Sequence, residues 1–151
     1  MTKIERSIVI DRPIGDVWQF VHDTSKDALW QTTLSESEKL TDGPLAVGSQ
    51  VREVRHFLGL RVATTWEVTE YEPNAKSAIR AIAGPVPFTG SYRVEPADGG
   101  TRFTVTGQLD AHGFFKLAEP VFARITGREL EANLGHLKDI LEAGAGPAAD
   151  G

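Results

Sequence analysis

Cysteine is absent from the 151 residues and methionine occurs once. No disulfide framework, thiol nucleophile or cysteine-based metal site is therefore available. No run approaches the roughly 20 apolar residues of a membrane span, so stable membrane insertion is not expected. Lysine and arginine number 16 against 21 acidic residues, for a formal net charge of -5, and they do not cluster. That balance speaks against nucleic acid as a partner and against a polybasic anchor. The histidines, His22, His56, His112 and His136, lack metal-site spacing, and Gly99-Gly100 lies in a hairpin rather than ahead of a helix. No metal, nucleotide or other cofactor is expected. No serine carries a hydrolase-type neighbourhood. With no basic, apolar leader and no cysteine, the expected location is cytoplasmic.

What is present, 40% hydrophobic and 25% charged residues, is the composition of a soluble globule long enough to bury one core. Residues 1–143 are expected to form one domain; the tail 144–151 has nothing to bury and is expected to be disordered. "SIVID" alternates as a strand, and Pro13 suits the first position of a helix over 13–22 that gathers Ile14, Val17, Trp18 and Val21 on one side. A second short helix is expected over 25–31. Period-2 patterning then predicts strands near 34–40, 49–57, 60–72, 77–83, 88–95 and 101–109, punctuated by "TDGPLAVG", "EPNAK" and "EPADGG". From Phe114 to about Ala143 the period returns to 3.6, with Ala123, Gly127, Leu130, Leu134, Leu137 and Leu141 in one stripe. Pro120 is expected to kink this helix or mark its start.

An α+β layout follows, in which a seven-stranded antiparallel sheet wraps the long C-terminal helix, with two short helices after the first strand. This order, with "ERSIVIDRPIGDVWQFVHD", Trp30, "GSQVREVRHFLGLRVATTWEVTEYEP", "GGTRFTVTG" and the Leu-rich last helix, resembles the START-like SRPBCC superfamily of the helix-grip (Bet v 1-like) fold. The resemblance is strongest to its polyketide cyclase/dehydrase and lipid transport type. It implies that the first helix and its short partner form a V-shaped cradle under one end of the last helix. It specifies fold better than chemistry, because one scaffold serves carriers, receptors and cyclases.

Three apolar loops, "FLGL", "GPVPF" and "HGFF", fall at one end of the meander, either as plugs of the core or as the rim of a cavity between sheet and last helix. A two-residue turn at Leu58-Gly59 makes Phe57 oppose Leu60, Arg55 oppose Val62, Glu53 oppose Thr64 and Val51 oppose Trp66. Glu53, Arg55 and Phe57 then share the concave face, and the two charges must pair, meet water or engage a polar ligand group. Trp18 is expected to pack the first helix on the sheet. Trp30, Trp66, Phe88, Tyr92 and Phe103 are candidates for a cavity wall, with plain core packing as the alternative. Leu117, Val121 and Gly127 are the candidates from the last helix, Gly127 because a small residue there leaves either space or a close backbone approach.

Two functions are compatible with this pattern. One is the binding of a small hydrophobic ligand, such as a lipid, isoprenoid or aromatic polyketide-like compound, by a monomer or homodimer. The other is a cyclase/dehydratase in which Arg55, Glu53, Tyr92 or His112 assists proton transfer in the same cavity. No catalytic residue is assigned.

Overall fold

The computed structural model describes residues 2–57, 59–84, 87–109 and 114–144, with only the backbone course at 2, 57, 114–119 and 122. Its strands are β1 (Thr2–Ile10), β2 (Leu34–Lys39), β3 (Gln50–Phe57), β4 (Leu60–Glu72), β5 (Lys76–Ala83), β6 (Phe88–Ala97) and β7 (Gly100–Leu109). The helices are α1 (Ile14–Val21), α2 (Asp27–Trp30), preceded by a 3-10 turn at Thr24–Lys26, and α3 (Phe114–Ala143). The strands form one antiparallel sheet in the order β1-β7-β6-β5-β4-β3-β2. Each neighbouring pair from β2 to β7 is consecutive in sequence, as short turns require. At Asp98-Gly99 both residues have positive φ, 48° and 79°, the conformation of a tight hairpin turn that suits Asp-Gly.

The β3–β4 register is the one a two-residue turn dictates: Phe57↔Leu60, Arg55↔Val62, Glu53↔Thr64 and Val51↔Trp66. Leu58 itself lies outside the described residues. β1 begins at Thr2 rather than near Ser7, because β7 pairs with it along its whole length, from Ile10↔Thr101 to Thr2↔Leu109. Pro13 is the N-cap of α1, with extended φ/ψ of -61° and 152°, so helical geometry starts one residue later than its N1 preference predicts. α3 starts at Phe114 with Pro120 inside it, so Pro120 does not mark its start.

α3 closes the gap between the two edges of the curled sheet. On one side the Arg6 Nε of β1 donates to Glu131 at 2.8 Å; on the other, Thr33, just before β2, donates to Glu129 at 2.7 Å. Two residues apart, these glutamates point about 200° from one another around the helix. The C-terminal half is pinned more firmly. Lys138 Nζ donates to the Val9 carbonyl at 2.8 Å, and Arg12 Nη1 donates to the Leu141 carbonyl at 2.9 Å. Leu134, Leu137 and Leu141 then bury their side chains against Ile10, Val17, Trp18, Trp30 and Phe103, each worth roughly 1.5–3 kcal/mol of burial. A smaller apolar cluster, Val51, Trp66 and Val68 with Leu45, Ile79 and Phe88, sits further along the concave face. Among the described residues no helix is long and apolar enough to cross a membrane.

Candidate functional site

Between these two clusters lies a cavity of about 80 Å3. Its roof is the end of α1 and the start of α2, through Val21, His22, Thr24 and Asp27. Its floor is the middle of the sheet, with Trp66 and Val68 of β4, Ser77 and Ile79 of β5 and Tyr92 of β6. Leu45, from the loop before β3, is the remaining large side chain of the wall. No described residue of α3 lines it, so the cavity lies between the sheet and the short helices instead of under the last helix.

The polar groups of this cavity are held in defined states. His22 lies one turn after Trp18 on the same stripe of α1, and its Nδ1 is 2.8 Å from the Trp18 carbonyl. A carbonyl can only accept, so Nδ1 carries the hydrogen. Burial holds the ring below the usual histidine pKa, against the opposing bond to Trp18. The neutral ring then offers Nε2 as acceptor to the Ser77 hydroxyl, 2.7 Å away. Asp27 opens the single turn of α2, only 7% exposed, and its Oδ1 has no hydrogen-bond partner. Burial pushes its carboxyl up to about 7, the charges of Glu53 and Asp23 add to that, and Arg55 opposes it. Tyr92 is driven above the usual phenol range by burial and by the charge of Asp27, so it remains a neutral phenol.

A second, partly buried polar cluster adjoins the first and is built differently. Arg55 Nε donates to Glu53 at 3.0 Å, Nη2 donates to Gln31 at 2.5 Å, and Nη1 donates to Thr33 at 3.3 Å. Thr33 in turn donates to Glu129 of α3. Burial would lower the Arg55 pKa, but the charge and hydrogen bond of Glu53 outweigh it and hold the guanidinium above its ordinary value. Every charge in this cluster has a partner.

Of the residues singled out by sequence, Trp66 and Tyr92 line the cavity, whereas Glu53 and Arg55 close on each other beside it. Trp30 and Phe103 belong to the core, at 2% and 0% exposure, because α2 presses Trp30 edge-on against Phe103 beneath α3. Phe88 is half-buried against the Trp66 cluster and does not reach the cavity. Gly127 leaves no space: a Cβ there would stand 2.8 Å from Arg6 Nη2, so the guanidinium occupies the position. Val121 is 61% exposed, since it lies two residues from Ala123 and hence about 200° off the buried stripe. The side chains of Phe57 and Leu117 lie outside the described residues, as do Leu58, Pro85, Val86, His112 and Gly113 of the expected mouth.

Sequence reasoning missed His22, Asp27, Gln31 and Ser77. For two of them a signal existed. His22 extends the Trp18 stripe by four residues, and Asp27 shares a helical face with Trp30 and Gln31 at i+3 and i+4. No ligand set for a metal forms among the described histidines and carboxylates.

Comparison with known proteins agrees with the architecture. An uncharacterized protein of Mycobacterium tuberculosis is 22% identical over 141 residues, covering 93% of this chain and 99% of its own length. The structure of TTHA0849 from Thermus thermophilus superposes with a TM-score of 0.83 at 16% identity, over 95% of this chain and 99% of that one. The Zhui aromatase/cyclase from Streptomyces sp. R1128 superposes at 0.79 with 19% identity, over 95% of both chains. At such identities the superpositions show the fold alone. The family profile for polyketide cyclase/dehydrase and lipid transport matches residues 1–142, and the chain belongs to that family.

Proposed function

We propose that this protein binds a small, predominantly apolar molecule in the cavity beneath α1 and α2. One observation carries the reading. Protein interiors are close-packed, and a buried polar atom without a partner is costly; here a void is kept with mostly apolar walls, and Asp27, one of its lining residues, holds a buried Oδ1 without a hydrogen-bond partner. A few placed polar groups in an apolar hollow are what a small-molecule site consists of.

The volume limits the occupant. About 80 Å3 is well below the roughly 300–1,000 Å3 of ordinary ligand pockets, and below the about 150 Å3 of an engineered cavity that takes benzene. The closed form therefore admits only a fragment smaller than benzene, and any aryl, lipid, isoprenoid or polyketide-like ligand has to displace part of the wall. Leu45 is the readiest part, since it is half-buried and comes from a loop.

A second reading, cyclase/dehydratase chemistry, draws support from the protonation states. Near neutral pH the same cavity holds a carboxyl poised between its two forms, a neutral imidazole and a phenol, the groups that general acid–base catalysis employs. Native mass spectrometry of protein taken from its own host, followed by denaturing extraction, tests both readings. One apolar compound recovered unchanged after incubation supports binding. A compound accompanied by its dehydrated or cyclised form supports turnover, and an empty protein that takes up no apolar compound from an extract counts against both.

A further inference from the structure

The polar groups around the cavity differ in what they have left to offer. Arg55 is committed to Glu53, Gln31 and Thr33. Ser77 gives its hydrogen to His22, whose other nitrogen is committed to the Trp18 carbonyl. Asp27 alone among the lining residues combines near-complete burial with a side-chain oxygen that no hydrogen bond satisfies. We propose that Asp27 is the anchor of the cavity, a carboxylic acid that donates its proton to the oxygen of a neutral apolar ligand, such as an aryl or alkyl ketone. This rests on the ligand-binding reading above and adds the class of ligand and the group that recognises it.

The surroundings decide between donor and acceptor. Facing Asp27 are Glu53 and Arg55 from β3, Asp23 from the turn before α2, Tyr92 from β6 and His22 from the end of α1. His22 is held neutral by burial, Tyr92 stays protonated, and the one cation, Arg55, already pairs with Glu53. The remaining charges are negative. A carboxylate ligand would meet Glu53 and Asp23, and the cations beside them among the described residues, Arg55 and Lys26, are already paired with those two carboxylates. A hydrocarbon would leave Asp27 Oδ1 unpaired. A neutral carbonyl accepts the acid's hydrogen and neutralises neither side. Because the carboxyl titrates at about 7, the donor form is lost as pH rises through neutrality, and the carbonyl ligand is released where Asp27 ionises.

Acetophenone, ethylbenzene and benzylamine share a ring and differ only in the group offered to Asp27. Each is titrated into the full chain at pH 6 and pH 8, followed by the backbone amide shifts of Val68, Ile79 and Tyr92. The expected result is acetophenone binding that weakens about tenfold from pH 6 to pH 8, as the protonated fraction falls from about nine-tenths to about one-tenth. Ethylbenzene should bind more weakly than the ketone at pH 6 and equally at both pH values. In Asp27→Asn, which keeps an N–H donor, acetophenone binding should no longer depend on pH. Acetophenone binding that is pH-independent in the unsubstituted protein, or no tighter than ethylbenzene, overturns the anchor while leaving the cavity reading intact. Benzylamine that binds more tightly than acetophenone at pH 6 also overturns it, since Asp27 would then already be an ionised acceptor where the proposal has it protonated. If none of the three compounds shifts those amides, the cavity reading falls and the anchor with it. The pH series on the unsubstituted protein decides the matter even if Asp27→Asn does not fold.

Discussion

Two polar clusters, one partly and one more deeply buried, lie side by side near α2; the first is closed and the second open. Around Arg55 each charge meets a counter-charge or a hydrogen bond, and the chain of contacts runs from β3 through Gln31 and Thr33 to Glu129 on α3. Around Asp27 a carboxyl, a phenol and an imidazole border a void, and one carboxyl oxygen is unpaired. By charge alone the first looks the more functional, and sequence reasoning places its suspicion there. The completeness of the contacts reverses that ranking: a satisfied network resists change, whereas an unsatisfied group has interaction left for something that arrives. On this reading substitutions in the Arg55 cluster affect folding, and those in the Asp27 cluster affect binding and pH response.

The largest expected effect comes from Arg55→Ala. It leaves Glu53, whose side chain is 9% exposed, as a buried charge without its partner, which costs about 3 kcal/mol or more. Urea unfolding should show this as a lowered midpoint with an unchanged slope. Adding Glu53→Gln should recover part of the loss, because the stranded charge is then gone. The folded fraction should take up acetophenone as the unsubstituted protein does. A loss under about 1 kcal/mol, or a selective loss of binding, would make Arg55 part of the site and erase the contrast.

Asp27→Asn sharpens the comparison from the other side. In the folded protein the carboxyl keeps its proton up to about 7, against 3.8 for an ordinary aspartate. Between those values the folded state holds a proton that the unfolded chain has released. Stability from this group is therefore full below about pH 4 and falls as pH rises, by about 1.4 kcal/mol per unit, levelling off above 7. His22, with its lowered pKa, contributes in the opposite direction, its stability being lost as pH falls below 6.5. Subtracting the Asp27→Asn curve from that of the unsubstituted protein cancels the His22 part. The difference should slope between pH 4 and 7, with the variant the more stable above 7; parallel curves would mean that Asp27 is not buried as described.

The architecture was readable because it is written in local patterns. Alternation marks the strands, Asp98-Gly99 marks a hairpin, and a two-residue turn sets the facing of Glu53 and Arg55. The stripe at Gly127, Leu134, Leu137 and Leu141 is buried as its spacing requires. The cavity was not readable in the same way. Asp27 has the look of a solvated carboxylate at a helix start, and only the tertiary packing of α2, beside β2 and α3, buries it. Ser77 looks like a residue at the end of a turn, and it is the position of His22, 55 residues away, that draws it inward. Phe103 and Trp30 were legible as buried aromatics, but core and cavity wall have the same composition, and only the packing of α3 tells them apart. The space expected at Gly127 failed for a related reason: Arg6, on a strand far off in sequence, fills it.

Leu45→Ala is the mildest change and asks whether access, rather than charge, separates the two clusters. Glu129 and Thr33 cover the Arg55 cluster from α3 and the approach to β2, whereas the Asp27 cluster has Leu45 at its wall, half-buried on a loop. Truncating a fully buried leucine costs about 2–5 kcal/mol; a half-buried one on a loop, free to relax, should cost about 1 kcal/mol. Leu45 packs against the Val51, Trp66 and Val68 cluster and lines the cavity, so the room gained adds to the existing cavity. Ethylbenzene and acetophenone should both bind more tightly to Leu45→Ala, and by a similar factor, because the gain is in space and not in hydrogen bonding. The pH dependence of the ketone should stay as it was, since Asp27 is untouched. A gain confined to the ketone would mean that Leu45 orients the acid rather than filling the hollow, and no gain for either would place the route of access elsewhere in the wall.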